Sequence, residues 1–246
     1  MLLEVCCGSL DDAIEAERGG ADRVELCSSL FFGGLTPSIG SVIEAKNRLK
    51  VPVIVMIRPR GGGFCYTEPE FAAMQRDAEA ALSAGADGIV FGILNSDGTV
   101  DLQRNRILRD IAGSKQSIFH RAIDVTPDAF VALEQLVEMG FTRVLTSGQK
   151  NSVPEGLDLI RELVAKAGDR ITVMPGGGIP PYAVEEVIRR TGCRELHVAA
   201  WRQVHDSSAE LRPHVTFGGA LYPPENRYEL TDRDVIAGIA NKIERR

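Results

Sequence analysis

Short apolar runs alternate with amphipathic stretches over most of the chain. The runs begin 21 to 35 residues apart, which matches the length of one strand, one loop and one helix. Within several of them apolar and polar side chains alternate, as in a strand with one buried face. The eight predicted strands are Leu2–Cys6, Arg23–Cys27, Val53–Arg58, Gly88–Leu94, Ser117–Arg121, Arg143–Ser147, Ile171–Pro175 and Glu195–Ala199.

The stretches between these strands have the apolar spacing of amphipathic helices. Glycines such as Gly85, Gly140 and Gly192 follow them, at the position where a left-handed helix end favours glycine. The eight predicted helices are Asp11–Arg18, Ser38–Leu49, Glu70–Ala84, Asp101–Ile111, Asp128–Met139, Glu155–Ala167, Tyr182–Arg190 and Thr231–Arg245.

Eight β-α units without a break in composition predict an α/β fold, a single (β/α)8 TIM barrel over residues 1–246. A doubly wound open sheet is the alternative, but the number of units and the lack of a linker favour the barrel. Residues 202–230, between strand 8 and helix 8, are rich in Ser, Gly and Pro and predict a long loop. This loop would be a lid over the barrel mouth, a contact to another subunit or a partly disordered segment.

Composition narrows the function classes. The 246 residues carry 28 Lys and Arg against 34 Asp and Glu, a net charge of -6, which argues against nucleic-acid binding. No apolar run is long enough for a membrane helix, and the N-terminus lacks the basic region of a signal peptide. Five cysteines form an odd and sparse set, which indicates reduced thiols and a cytoplasmic location.

The predicted strands place unusually polar side chains on one face. We expect the apolar face to contact the helices and the other face to line the barrel interior. Since an unpaired buried charge costs several kcal/mol or more, these groups must pair or face a wet cavity. One interpretation is an ion-pair network of Glu4, Glu25 and Arg58 that plugs the barrel, and the other is a polar site at the C-terminal mouth. The expected interior residues are Glu4, Cys6, Glu25, Cys27, Arg58, His120 and His197.

Loops at the strand ends suggest a site for a small anionic ligand. Arg58 and Arg60 precede three glycines, and guanidiniums beside flexible backbone suit a carboxylate or a phosphate. Glycines after strand 7 commonly bind phosphate in barrels, at the N-terminus of the next helix. The predicted anion-binding residues are Arg58, Arg60, Arg121, Ser147, Gly176, Gly177 and Gly178.

The same mouth contains candidate groups for proton transfer. In an enzyme acting on a small phosphorylated or carboxylated metabolite, Glu25 or His120 would move the proton and Asp124 would orient the histidine. The sequence has no P-loop and no full Rossmann fingerprint, so it implies no organic cofactor.

Several blocks together resemble the CutC family, in order from about residue 2 to about residue 200. They are EVC at 4–6, GGADRVELC at 19–27, GGLTPS at 33–38, MIRPRGG at 56–62, FHRA at 119–122, RVLTSG at 143–148 and MPGGG at 174–178. The resemblance implies a cytoplasmic (β/α)8 barrel linked to copper homeostasis and assembled as a homo-oligomer, a dimer or a tetramer. Two positions depart from the family pattern, since Gly63 stands where an Asp is frequent and Ala199 where a Ser is frequent.

The family's proposed copper ligands match Cys6 and Cys27. Each is the last inward residue of its predicted strand, and neighbouring strands lie about 4.8 Å apart. Two sulfur ligands select Cu(I) over hard cations. The alternative is that both are small buried cysteines that only pack in the barrel. Two function hypotheses follow, a Cu(I)-handling protein and an enzyme for a small anionic metabolite.

Overall fold

A computed structural model describes residues 1–217 and 225–243. Strands and helices alternate through most of the chain. The barrel strands are β1 (Leu2–Cys7), β2 (Arg23–Leu26), β3 (Val53–Met56), β4 (Gly88–Phe91), β5 (Gln116–Phe119), β6 (Arg143–Thr146), β7 (Thr172–Pro175) and β8 (Glu195–Val198). The helices are α1 (Leu10–Arg18), α2 (Ile39–Arg48), α3 (Glu68–Ser83), α4 (Leu102–Ala112), α5 (Ala129–Glu138), α6 (Val153–Ala167), α7 (Val184–Thr191) and α8 (Arg233–Lys242). None of the helices in these ranges is long and apolar enough to span a membrane.

The eight strands form a nearly closed barrel. Every pairing between them is parallel, and β1 pairs with both β2 and β8. A parallel bridge between Gly176 and His197 joins the ends of β7 and β8. The predicted (β/α)8 barrel is therefore confirmed, and the open sheet is excluded.

Side-chain alternation separates two apolar regions. Leu3, Val5, Val24 and Leu26 belong to the large core between the strands and the helices. The opposite faces contribute to a much smaller cluster inside the barrel, which leaves room there for polar groups. Its buried members are Cys27, Ile54, Met56, Val90 and Ile118.

The segment after β8 differs from the predicted loop. It contains an antiparallel hairpin of β9 (Trp201–His205) and β10 (Arg227–Thr231). The backbone N–H of Thr231 donates to Asp12 Oδ1 of α1 at 2.6 Å, which fixes the base of the hairpin to the barrel. The many turn-forming residues between the two strands led to the prediction of a loop, so the sequence did not indicate that the strands pair. Residues 218–224 of the predicted loop lie outside the described residues.

Candidate functional site

An ion-pair network closes the N-terminal end of the barrel interior. Arg23, at the start of β2, bonds Glu4 through Nε, and its Nη2 donates to Glu195 at 2.5 Å. Arg143 at the start of β6 lies 3.3 Å from the same Glu195 carboxylate and donates to Gln116. Burial raises the pKa of Glu4, but the charge of Arg23 and the bond to His197 outweigh it and hold the pKa at about 2. The sequence-based plug of Glu4, Glu25 and Arg58 is thus replaced by a network in which Arg23 supplies the cation.

The cysteine cluster lies further toward the C-terminal ends of the strands. Oε2 of Glu25 lies 3.5 Å from Cys6 Sγ and 3.4 Å from Cys27 Sγ. These three ligand atoms all fall within 4.8 Å of one another. Cys27 is buried and Cys6 is partly accessible. The structure therefore brings the two predicted sulfur ligands together with one carboxyl group.

A loop covers Cys27 from the mouth side. It includes the short 3-10 helix Leu30–Phe32, followed by Gly33 and Gly34 in left-handed conformation. A Cβ on Gly34 would lie 3.2 Å from Cys27 Sγ, so a side chain there would crowd the sulfur as well as strain the backbone. Glycine at this position lets the backbone approach the cysteine cluster closely.

Proton affinities differ sharply within the cluster. The hydrogen bond with Cys27, followed by contacts with His197 and Glu25, lowers the pKa of the Cys6 thiol to about 5. That same hydrogen bond and burial raise the pKa of Cys27 well above its usual value. Burial raises the pKa of Glu25 to about 8. Around neutral pH the cluster therefore favours a thiolate at Cys6 and a protonated Glu25.

His197 links the two ends of the interior. Its Nδ1 lies 2.8 Å from Glu4 Oε1, and its Nε2 lies 3.8 Å from Glu25 Oε2. Burial lowers the pKa of His197, but the charge of Glu25 in its ionised form and the bonds with Cys6 and Glu4 raise it well above the ordinary value. The imidazolium is thus the cation that faces the cysteine cluster. The alternation of β8 predicted that His197 points inward but indicated no role for it.

The two loop arginines are largely occupied by other groups of the protein. Arg58 donates to the carbonyl oxygens of Phe32 and Gly34 at 2.7 and 3.1 Å and to that of Gly62 at 2.7 Å. It thereby fastens the loop over Cys27 to the loop that follows β3. Arg60 pairs with Glu70 at 2.6 Å and also donates to carbonyls of its own loop. Neither arginine presents an open guanidinium fork at the mouth.

His120 lies in a different cluster from Glu25. Its Nδ1 accepts a hydrogen bond from the backbone N–H of Ala122 at 3.2 Å, and its ring packs on Phe64 with centroids 4.8 Å apart. Burial and the nearby charge of Arg58 lower the pKa of His120 to about 3. The imidazole is therefore neutral at pH 7 and a weak base. Its predicted role in proton transfer stays a prediction.

Asp124 orients a loop instead of His120, which corrects the sequence-based expectation. Its carboxylate accepts hydrogen bonds from Arg121 Nε at 2.9 Å, from Thr146 Oγ1 at 2.5 Å and from backbone N–H groups of Ser147 and Gln149. Arg121 and Asp124 belong to the short 3-10 helix that follows β5. The carboxylate thus ties that helix to the loop after β6.

The glycine loop after β7 packs against this same assembly. A Cβ on Gly177 would approach the Arg121 guanidinium to 2.9 Å, and Gly177 has a φ of 114°. Arg121 also donates to Ser147 Oγ at 2.6 Å. Helix α7 begins only at Val184, so Gly176–Gly178 do not form its N-terminus as expected. Within this arrangement the glycines make room for a guanidinium of the chain itself.

Sequence reasoning missed Arg23 and Tyr66. Arg23 shares the face of Glu25 by simple alternation, so the signal for its inward position was available. Tyr66 precedes α3 in an irregular loop, where no periodicity shows that its side chain is buried. Strand alternation thus finds interior residues, whereas loop residues need the folded structure.

Comparison with known proteins agrees with the geometry. The model of the CutC family matches residues 1–202. The family protein CutC of Treponema denticola is 45% identical over 241 residues, which cover 98% of each chain. The chain belongs to the CutC family.

Other CutC proteins show that this likeness extends across distant organisms. The human copper homeostasis protein cutC homolog is 45% identical over 94% of this chain and 85% of its own length. A crystal structure assigned to the copper homeostasis protein CutC of Streptococcus agalactiae superposes with a TM-score of 0.77 and 36% identity. That match covers 80% of this chain and 97% of the other. The resemblance inferred from the sequence blocks is confirmed, and so is the link to copper homeostasis by name.

Proposed function

We propose that this CutC protein binds a single Cu(I) ion between Cys6 and Cys27 and serves copper homeostasis by holding or passing on that ion. The observation that carries the proposal is the close approach of the two sulfurs and Glu25 Oε2, all within 4.8 Å. A bond between a thiolate sulfur and zinc is about 2.3 Å long. Two sulfurs that bind one ion with bonds of this length are therefore at most about 4.6 Å apart. The cysteines are thus near the spacing that one bridging ion requires.

The chemistry of the donors favours a soft monovalent ion. Two sulfur ligands select Cu(I), whereas a hard cation prefers several oxygens. Glu25 is the carboxyl group at the sulfurs, and Arg58 fastens the loop above them. The partial accessibility of Cys6 supplies a side from which an ion enters. Packing alone accounts for two cysteines inside the barrel, but it does not account for their joint contact with one carboxyl group.

Titration with Cu(I) under reducing conditions tests the proposal. We expect wild type to bind one ion per chain and the double variant Cys6→Ser, Cys27→Ser to lose that binding. The exposed Cys65 provides a matched control, since Cys65→Ser removes a thiol that is not part of the Cys6, Glu25 and Cys27 group. Equal stoichiometry and affinity of Cu(I) binding in wild type and the double variant would show that Cys6 and Cys27 are not the copper ligands.

We further propose that the protein acts in the cytoplasm as a homo-oligomer. Its five cysteines are unpaired, as expected in a reducing compartment. The exposed side chains of Trp201 and Tyr228 on the β9–β10 hairpin offer apolar area for self-association. Sedimentation of the purified protein tests this, and a monomer at all accessible concentrations would refute it.

The alternative, an enzyme for a small anionic metabolite, has weaker support from the predicted residues. The Nη groups of Arg58 donate to backbone carbonyls, and Arg60 and Arg121 pair with carboxylates of the chain. His120 and Glu25, assigned to proton transfer, lie in separate clusters. The copper proposal therefore uses the more complete set of converging groups.

A further inference from the structure

Three buried polar atoms at the barrel mouth have no hydrogen-bond partner among the described residues. They are Arg58 Nε, Tyr66 Oη and His120 Nε2. The side chains that carry them belong to residues only 6%, 4% and 4% exposed. An unsatisfied buried polar group costs about 1–3 kcal/mol, so three in one region need an explanation.

Two of the three side chains, those of His120 and Arg58, contact one aromatic ring. The Phe64 ring packs on the His120 ring at 4.8 Å, and the guanidinium carbon of Arg58 lies 5.2 Å from the Phe64 centroid. Burial raises the pKa of Tyr66, and the charge of Arg58 together with an interaction between its guanidinium and the Tyr66 hydroxyl acts against that rise. Arg58 is thus the common neighbour of the other two groups.

The chain makes specific room for the imidazole. A Cβ on Gly92 would come within 2.6 Å of the His120 ring. Any side chain at that position would displace the ring from the interior. The position of His120 therefore depends on Gly92 as well as on its bond with Ala122.

The unpartnered atoms all offer a proton. Because His120 Nδ1 accepts from the Ala122 N–H, the proton of the neutral ring resides on Nε2. Arg58 Nε is a donor and never an acceptor, and the Tyr66 hydroxyl is free to donate. The other contacts of Arg58 are to the neutral carbonyls of Phe32, Gly34 and Gly62, which leave its positive charge without a bonded carboxylate.

We propose that Arg58, Tyr66 and His120 form a binding site for one oxyanion group, a carboxylate or a phosphate, of a small ligand. A cation flanked by two further donors is the arrangement that stabilises such a group. Phe64, which contacts His120 and Arg58, is itself only partly buried. This site uses none of the cysteine ligands and stands independently of copper binding.

Thermal unfolding of the metal-free protein in acetate or inorganic phosphate tests the site, with chloride at matched ionic strength as reference. Ligand binding to the folded state raises Tm in a saturable way. We expect one of the two anions to raise the Tm of wild type, and the Tyr66→Phe variant to need at least tenfold more of it. Saturation by acetate alone identifies a carboxylate ligand, and saturation by phosphate alone identifies a phosphate ligand.

Two further variants separate specific binding from a general salt effect. Tyr182→Phe removes a hydroxyl from an exposed tyrosine before α7 and should respond like wild type. His120→Gln should lose the response like Tyr66→Phe, which covers the case that one variant folds poorly. In wild type the NMR resonance of the His120 Nε2–H should shift as the anion is added. Its half-maximal shift should occur at the same anion concentration as the half-maximal rise in Tm. An equal Tm response in all four proteins, or no saturable response to either anion in wild type, would overturn the proposal.

Discussion

Glu4 and Glu25 lie on neighbouring strands and face the same barrel interior, yet their surroundings give them opposite properties. Glu4, toward the N-terminal end, bonds Arg23 and His197, and its pKa is lowered to about 2. Glu25, toward the mouth, contacts two sulfurs, and burial raises its pKa to about 8. At one end the buried carboxylate bonds an arginine directly, and at the other the carboxyl group contacts two sulfurs and has the imidazole of His197 3.8 Å away.

The contrast matches a division of labour seen across (β/α)8 barrels. Residues at the N-terminal ends of the strands stabilise the fold, and residues at the C-terminal ends carry function. In this protein the donors Arg58 Nε, Tyr66 Oη and His120 Nε2 without partners lie near the mouth, whereas Arg23 is held by two carboxylates. Among the residues that the structure describes, Arg143 Nε and Ser117 Oγ also lack a hydrogen-bond partner, but the ion pairs of Arg23 and Arg143 bind the N-terminal end together. No such ion pair within the described part of the chain joins the three donors at the mouth, which leaves them available to a ligand.

Breaking the N-terminal network should have the largest effect. Glu4→Gln leaves Arg23 buried with one carboxylate fewer, and removing one partner of a buried ion pair costs about 3–5 kcal/mol. Urea unfolding of the metal-free protein measures the loss in the free energy of unfolding. The exposed pair of Arg194 and Asp169 offers the control, since Asp169→Asn should leave stability nearly unchanged. If the Glu4→Gln variant were as stable as wild type, the ion pairs at the N-terminal end of the barrel interior would not be what stabilises that end.

The sequence predicts this contrast only in part. Alternation along β1 and β2 places Glu4, Glu25, Cys6 and Cys27 in the interior, because side-chain direction depends only on strand parity. Alternation does not say which charges meet, since that depends on how the strands stagger around the closed barrel. The pairing of Glu4 with Arg23 and the separation of Glu25 from His120 follow from that stagger.

Loop residues were harder to predict for a different reason. Arg58 and Arg60 were correctly placed beside a glycine run, but the sequence does not show which backbone carbonyls the folded loops present to a guanidinium. Tyr66 acquires its burial only from the path of the loop after β3. Strand positions follow a local periodic rule, whereas loop contacts depend on the whole fold.

Glu25→Gln should show the opposite sign to Glu4→Gln. The pKa of Glu25 is about 4.5 in the unfolded chain and about 8 in the folded protein. The free energy of unfolding therefore decreases as the pH rises from about 4.5 to about 8. The neutral amide avoids this cost, so the metal-free variant should gain up to about 3 kcal/mol at pH 7 and nothing below pH 4. Urea unfolding at both pH values checks the sign. Destabilisation at pH 7 comparable to that of Glu4→Gln would mean that Glu25 is a paired carboxylate.

His120 should make the mouth sensitive to acid. Its pKa is lowered to about 3 in the folded protein, so the unfolded chain binds the proton first as the pH falls below about 6.5. Stability associated with His120 is complete above that pH and is lost progressively toward pH 3. Between pH 7 and pH 5 wild type should lose about 2 kcal/mol more than His120→Gln. Parallel pH profiles of the two proteins would show that the imidazole is solvated rather than buried.

Arg60 should give the smallest effect, and it sharpens the comparison within the mouth itself. Unlike Arg58, Arg60 is half-exposed, and its guanidinium already bonds the Glu70 carboxylate. Glu70 keeps its bond to the Thr67 backbone N–H in the capping box of α3 after Arg60→Gln, so the helix start survives. We expect a small decrease in Tm that shrinks further at high salt, because exposed ion pairs are screened. The response to acetate or phosphate should equal that of wild type, since the charge of Arg60 is already neutralised. If Arg60→Gln instead lost that response as Tyr66→Phe is expected to do, Arg60, whose guanidinium carbon lies 5.1 Å from the centre of the Tyr66 ring, would belong to the anion site, either as a ligand or by positioning Tyr66.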